Sequence, residues 1–303
     1  MFKTIFTLII AALLLNAAHA AAEPLLQTPY DKIRQGQVMA VWGSGFPAAG
    51  IMEMEFMKNR FPVVITGQGD VYALIGAELN ARPGRQTINL LREGQVLASM
   101  DITVSKGNYG TRNIRIGDAE DGAGVNPAIV RHERAISHAI YSQATRDILG
   151  KPFDDKLISS FMYWQMPLIG PLTSGFGLLS IVNGKVGSPH AGVDIKGNTG
   201  DPVKAAAAGR VVLAQSTQLG GNTVLVDHGT GIVSGYRHLS EIKVKMGDDV
   251  NQGDVIGLVG STGRSTGPHL HFDVRLSGVA VDPLSVLIYT TFLRGKWEGR
   301  DSY

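Results

Sequence analysis

Glycine punctuates this chain so often that long helices have little room. Thirty-eight of its 303 residues are glycine. Between them run short apolar stretches such as "GRVVLAQ", "NTVLVDHG" and "DVIGLVG". Runs of this length, bounded by residues that turn the backbone, read as β-strands. In "IMEMEF" the alternation is strict, with Met52, Met54 and Phe56 on one face and Glu53 and Glu55 on the other. That is the pattern of a half-buried strand. The expectation is therefore a mostly β protein.

Two β regions are separated by one helical stretch. From about 30 to 117 the strands and turns suggest a small antiparallel β-sandwich, with no catalytic constellation in it. "VNPAIVRHERAISHAIYSQATRDILGKP" then changes period. Asn126 can cap a helix, Pro127 suits its first position, and Ile129, Ile136 and Ile140 recur at helical spacing. Gly150 and Pro152 end it. This predicts a connecting helix over 126–150, with His132 and His138 on a solvated face. A second compact β domain is expected over 166–290, followed by a polar tail over 291–303.

Composition excludes several classes. With 44% apolar and 18% charged residues, the chain has the makings of a packed core rather than whole-chain disorder. A net charge of +2 gives no argument for a nucleic-acid partner. Residues 1–20 read as a signal peptide: Lys3 supplies the positive start, Ile5 to Leu15 the short apolar run, and "NAAHA" a cleavage position after Ala20. The apolar run is shorter than a spanning helix needs, so an exported protein, not an integral membrane protein after cleavage, is expected. There is no cysteine, which removes disulfides, lipid attachment at cysteine and the common structural-zinc sites.

Chemistry concentrates in three places. In "GPHLHFDVRL" the side chains of His269 and His271 share one face of a strand, because alternate residues point the same way. Leu270 and Phe272 face the opposite way, into a core. In "SPHAGVDI", His190 and Asp194 are four apart, and Pro189 and Gly192 argue for an extended segment rather than a helix. One histidine, one aspartate and one of the later pair would make three protein ligands, leaving a fourth position open, the catalytic form of a zinc site. "GYRHLS" adds His238, so two imidazoles remain for proton transfer and oxyanion binding. Tyr236 is expected on the same strand face as His238, as support or filler. His228 reads as structural. The glycine-rich "GLVGSTGRSTG" lacks a phosphate-loop ending and reads as a tight loop, whose Ser261, Thr262, Ser265 and Thr266 could bond a substrate backbone.

These segments, with "GSTGRSTGPHLHFDVR", resemble the lysostaphin/LytM-type zinc metallopeptidases over about residues 167–287. The sandwich and helix resemble, more loosely, the region preceding that domain in exported bacterial members. The resemblance implies one Zn2+ per chain held by His190, Asp194 and His271, with His238 and His269 as the catalytic pair. It implies an endopeptidase hydrolysing the peptide cross-links of peptidoglycan in the periplasm or cell-wall space. One departure stands upstream, where Leu178, Leu179 and Ser180 follow "SGFG" in place of the usual arginine segment.

Two other functions compete. A silent wall-binding or amidase-activating module would carry a broken ligand set, and none is broken here. A lipoyl- or biotinyl-type carrier is suggested by "VKMGDDVNQGDVIGLVG", yet no lysine sits in the hairpin such a domain requires.

Overall fold

A computed structural model describes residues 25–48, 50–114, 126–148, 155–182 and 184–299. The signal-peptide expectation and residues 300–303 lie outside these. The protein is mostly β, with 47% of residues in strands and 15% in helices.

In the N-terminal region eight strands form one continuous ladder, ordered Leu25–Gln27, Val38–Ser44, Val71–Gly76, Asn59–Ile65, Met52–Phe56, Gly84–Arg92, Gln95–Ser105 and Lys32–Arg34. Asn59–Ile65 pairs with a neighbour on each side and so joins the two halves. The alternation of Met52–Phe56 is seen as burial: Met52, Met54 and Phe56 are buried and the glutamates half-buried. Arg60 pairs with both Glu53, at 3.0 Å, and Glu55, at 2.9 Å.

Two helices follow, α1 (Pro127–Ile148) and α2 (Asp155–Met162). The Asn126 side chain accepts a bond from the Ala128 N–H at 2.9 Å, as an N-cap does. His132 and His138 are exposed. Of the three isoleucines, Ile136 and Ile140 are half-buried, and Ile129 is exposed while its neighbour Val130 is buried. Ile136, Ile140, Tyr141 and Ala144 pack on Leu213, Leu225 and Val233. So α1 docks on a sheet rather than crossing solvent.

That sheet is the centre of the C-terminal region. Its strands run in the order Leu172–Ser174, Gly192–Lys196, His269–Leu276, Ile232–Leu239, Gly221–Asp227, Gly209–Thr217 and Asp249–Val250, with Val279–Val281 added on His269–Leu276. A small second sheet of Pro202–Lys204, Val255–Leu258 and Glu241–Ile242 packs nearby. A third joins Lys185–Pro189, Leu179–Val182 and Thr111–Ile114.

The expected polar tail is corrected. Helix α3 runs Pro283–Trp297, capped by Asp282, whose carboxylate accepts from the Leu284 N–H at 3.0 Å. Phe292, Leu293 and Trp297 give this stretch an apolar face that its arginines and lysine conceal in the sequence. The Phe292 ring meets Trp42 with centroids 5.2 Å apart, and Trp297 meets Tyr72 at 5.4 Å. Ser285 Oγ accepts from the Val38 N–H at 3.1 Å, and the Gly36 carbonyl from the Asp282 N–H at 2.7 Å. Burial of α3 therefore makes one continuous apolar core out of the two β regions.

Candidate metal centre

Two neighbouring strands and one loop bring the site together. Gly192–Lys196 and His269–Leu276 are antiparallel, and Asp194 lies opposite His271. His190 enters from the end of Lys185–Pro189, its backbone held between two bonds: its N–H donates to the Leu178 carbonyl at 3.0 Å and its carbonyl accepts from Gly177 at 2.7 Å. The Leu178–Leu179–Ser180 segment thus has a structural task here. Leu179–Val182 also pairs in parallel with Thr111–Ile114.

Three donor atoms converge. His190 Nε2 is 3.1 Å from Asp194 Oδ1, His271 Nδ1 is 2.9 Å from the same oxygen, and the two nitrogens are 3.0 Å apart. A tetrahedral ion with bonds of about 2.0–2.1 Å separates its ligand atoms by about 3.3 Å. Two imidazoles and one carboxylate at this spacing fit a divalent ion such as zinc. Orientation is supported from outside. His190 Nδ1 donates to the Gly175 carbonyl at 2.9 Å, which leaves Nε2 as the free donor atom. His271 turns Nε2 toward the Asp273 carboxylate, 3.8 Å away. Asp273 is in turn paired to Arg237, at 2.8 Å.

The electrostatics agree with a cation site. Burial pushes Asp194 toward the neutral acid, but bonds and charge from His190 and His271 overcome it and hold the carboxyl well below the usual range. His190 is disfavoured as a cation by burial, yet Asp194 and the Gly175 carbonyl outweigh that and raise it. His271 is lowered by burial. Buried beside Arg237, Asp273 is held down to about 2.

His238 and His269 stand next to these three. The His238 ring centroid is 4.8 Å from that of His269 and 6.0 Å from that of His271. Each is fixed through Nδ1: His238 donates to the Thr262 carbonyl at 2.8 Å, and His269 to the Gly267 carbonyl at 2.8 Å. A carbonyl only accepts, so Nδ1 carries the proton and Nε2 is left with its lone pair. Burial, with the neighbouring His271 and His269, pulls His238 down to about 4. The glycine-rich loop therefore faces inward at Thr262, and Ser265 Oγ lies 3.3 Å from His269 Nδ1.

One expectation fails. Tyr236 and His238 do not share a face. Tyr236 is fully buried, its ring 5.4 Å from Phe272 and its hydroxyl bonded to Ala206 N–H at 2.8 Å. His238 has φ of 63°, left-handed for a non-glycine residue, and this breaks the alternation and turns its imidazole to the His271 side. His228 is buried, with Nδ1 donating to the Ala208 carbonyl at 2.8 Å and Nε2 2.7 Å from Ser234 Oγ, and lies in the core. Asp273 and Arg237 went unnoticed in the sequence, although Asp273 continues the alternation of His269 and His271.

Residues 188–283 match Peptidase family M23. The chain is 38% identical over 130 residues to the DD-carboxypeptidase/endopeptidase Mpg of Neisseria meningitidis serogroup B, covering 38% of this chain and 30% of that protein. It is 41% identical over 101 residues to the peptidoglycan DD-endopeptidase ShyA of Vibrio cholerae, covering 33% of this chain and 24% of that protein. The chain thus spans a third or less of the length of these curated relatives. A crystal structure from Pseudomonas aeruginosa, described as that of a candidate M23 peptidase, is 29% identical with a TM-score of 0.61, covering 84% of this chain and 93% of that one. Residues 188–283, in the C-terminal β region, thus form a Peptidase family M23 domain.

Proposed function

We propose that this protein is a zinc-dependent endopeptidase that hydrolyses the peptide cross-links of bacterial peptidoglycan outside the cytoplasm. The observation that carries the reading is the meeting of His190 Nε2, Asp194 Oδ1 and His271 Nδ1 within 3.1 Å of one another, with His238 and His269 beside them. His190, Asp194 and His271 would hold the ion. When bound, zinc supplies Lewis acidity toward a carbonyl and toward water.

The chain's own residues supply the proton handling. His238 is neutral at pH 7 with its Nε2 lone pair free, so it can take a proton from an attacking water. Once protonated, the same Nε2–H can donate to the departing amine. His269, fixed through Nδ1 to the Gly267 carbonyl, stands beside the same centre as the second imidazole of the pair, where its Nε2 can accept a hydrogen bond from the attacking water. The relatives named for action on peptidoglycan support the substrate class. The signal-peptide pattern supports export. No helix among the described residues is long and apolar enough to cross a membrane.

The test is digestion of purified sacculi by the metal-loaded chain, with fragments identified by mass spectrometry. Release of cross-link cleavage products that stops with chelator and in His238→Ala is expected. A folded, metal-loaded chain that releases nothing would leave the silent module as the better reading.

A further inference from the structure

Helix α1 lies outside the residues that match the family, yet it is bonded into the turn that sets His238. The Glu133 carboxylate accepts from the Gln218 N–H with both oxygens, at 2.9 and 3.1 Å. In return, the Gln218 side-chain oxygen accepts from the Asn126 N–H at 2.8 Å. Two residues on, the Gly220 carbonyl accepts from the His238 N–H at 2.7 Å. The other side of this turn is braced by the glycine-rich loop: Asn222 N–H donates to Thr262 Oγ1 at 2.9 Å, and Arg264 N–H to the Leu219 carbonyl at 3.0 Å.

The brace meets His238 where the strand leaves extended geometry. Left-handed φ at a non-glycine residue persists only where the surroundings over-determine it. Normal alternation would send this imidazole to the Tyr236 side, away from the metal ligands. A second anchor fixes α1 against the same sheet: Arg237 Nη2 donates to the Tyr141 hydroxyl at 3.4 Å, and the Arg275 guanidinium lies 5.3 Å from the Tyr141 ring centroid.

We propose that Glu133 is a positioning residue for His238: its carboxylate fixes the Gln218–Asn222 turn, whose Gly220 carbonyl holds His238 in the conformation that aims its ring at the site. The catalytic consequence rests on the peptidase reading; the structural consequence does not. The N–H of Gln218 needs an acceptor, and glutamine in place of Glu133 still offers one, whereas alanine offers none. The helix is therefore part of the working site, and a chain cut just before the matched family region would lose it.

The experiment uses the full chain with Glu133→Ala and Glu133→Gln. The first readout is the His238 imidazole resonance in metal-free, isotope-labelled protein. In Glu133→Ala it should move while that of His228 stays, with the thermal midpoint of the main transition nearly unchanged. The second is the kinetics of the zinc-loaded protein on a cross-linked muropeptide. Glu133→Ala should lower kcat by about 10- to 100-fold with KM unchanged, the size expected of a misplaced catalytic group, and Glu133→Gln should restore most of it. A wild-type His238 resonance in Glu133→Ala, an unchanged kcat, or a loss equal in both variants overturns the proposal. If the wild-type chain cleaves nothing, the peptidase reading fails, and the resonance still decides the positioning.

Discussion

Asp194 and His271 face each other across adjacent antiparallel strands, with Oδ1 and Nδ1 2.9 Å apart. The backbone register sets this pairing, so two of the three atoms proposed to hold the ion are in place without it. Little ordering is left for binding to accomplish, and removal of one donor cannot be made good by a shift of the other strand. Asp194→Ala should weaken zinc binding by more than the roughly 10- to 100-fold that loss of an outer support carries. Titration calorimetry against zinc measures this. Near-native affinity in the variant would place the metal elsewhere.

Loss of His238 should part metal binding from catalysis. His238 is held by Thr262 and Gly220 and offers no atom to the converging trio. His238→Ala should therefore bind zinc as the wild type does while hydrolysis of cross-linked muropeptide falls about 10²- to 10⁴-fold, the range for an acid–base group. His271→Ala should lose both. Equal zinc loss in the two variants would make His238 a ligand.

Much of this centre is legible in the sequence because it sits on strands. Period-two alternation alone puts His269 and His271 on one face, with Leu270 and Phe272 in the core. The extended reading of "SPHAGVDI" rests on Pro189 and Gly192. What escapes is what tertiary contacts decide. His238 leaves its expected face through a left-handed backbone angle that no local pattern announces. Asp273 and Arg237 are opposite charges 36 residues apart, and only the pairing of their strands joins them. The last helix looks like a polar tail until Trp42 and Tyr72 give Phe292 and Trp297 something to pack against.

Gly192 separates His190 from Asp194 and must remain without a side chain. A Cβ there would lie 2.9 Å from His271 Nε2 and would also crowd the Phe272 carbonyl, which is backbone and cannot swing aside. Gly192→Ala should push the two ligand strands apart, weakening zinc affinity and lowering the thermal midpoint. Overpacking of a tight site costs about 1–3 kcal/mol. Calorimetry and thermal unfolding on one sample measure both effects, and a variant with native affinity and midpoint would show the strands free to adjust.

His228 should make the fold acid-sensitive without touching the site. Burial lowers it to about 4 from an ordinary value of 6.5, and its two ring nitrogens are bonded to the Ala208 carbonyl and Ser234 Oγ. The folded state keeps the ring neutral where the unfolded chain already binds a proton. Between pH 6.5 and 4 the unfolded state thus holds more protons, so stability rises with pH through this window and is lost on acidification. From pH 7 to pH 5 the loss from this one group should be about 2 kcal/mol. Asp273 titrates lower, between its ordinary 3.8 and about 2, and so does not overlap this window. In His228→Gln that part of the pH dependence should vanish, although the variant starts less stable at pH 7. Urea unfolding of both proteins at pH 7 and pH 5, with zinc held in excess, isolates the difference. Parallel pH slopes in the two would mean that the His228 imidazole takes up its proton at the same pH in the folded as in the unfolded chain.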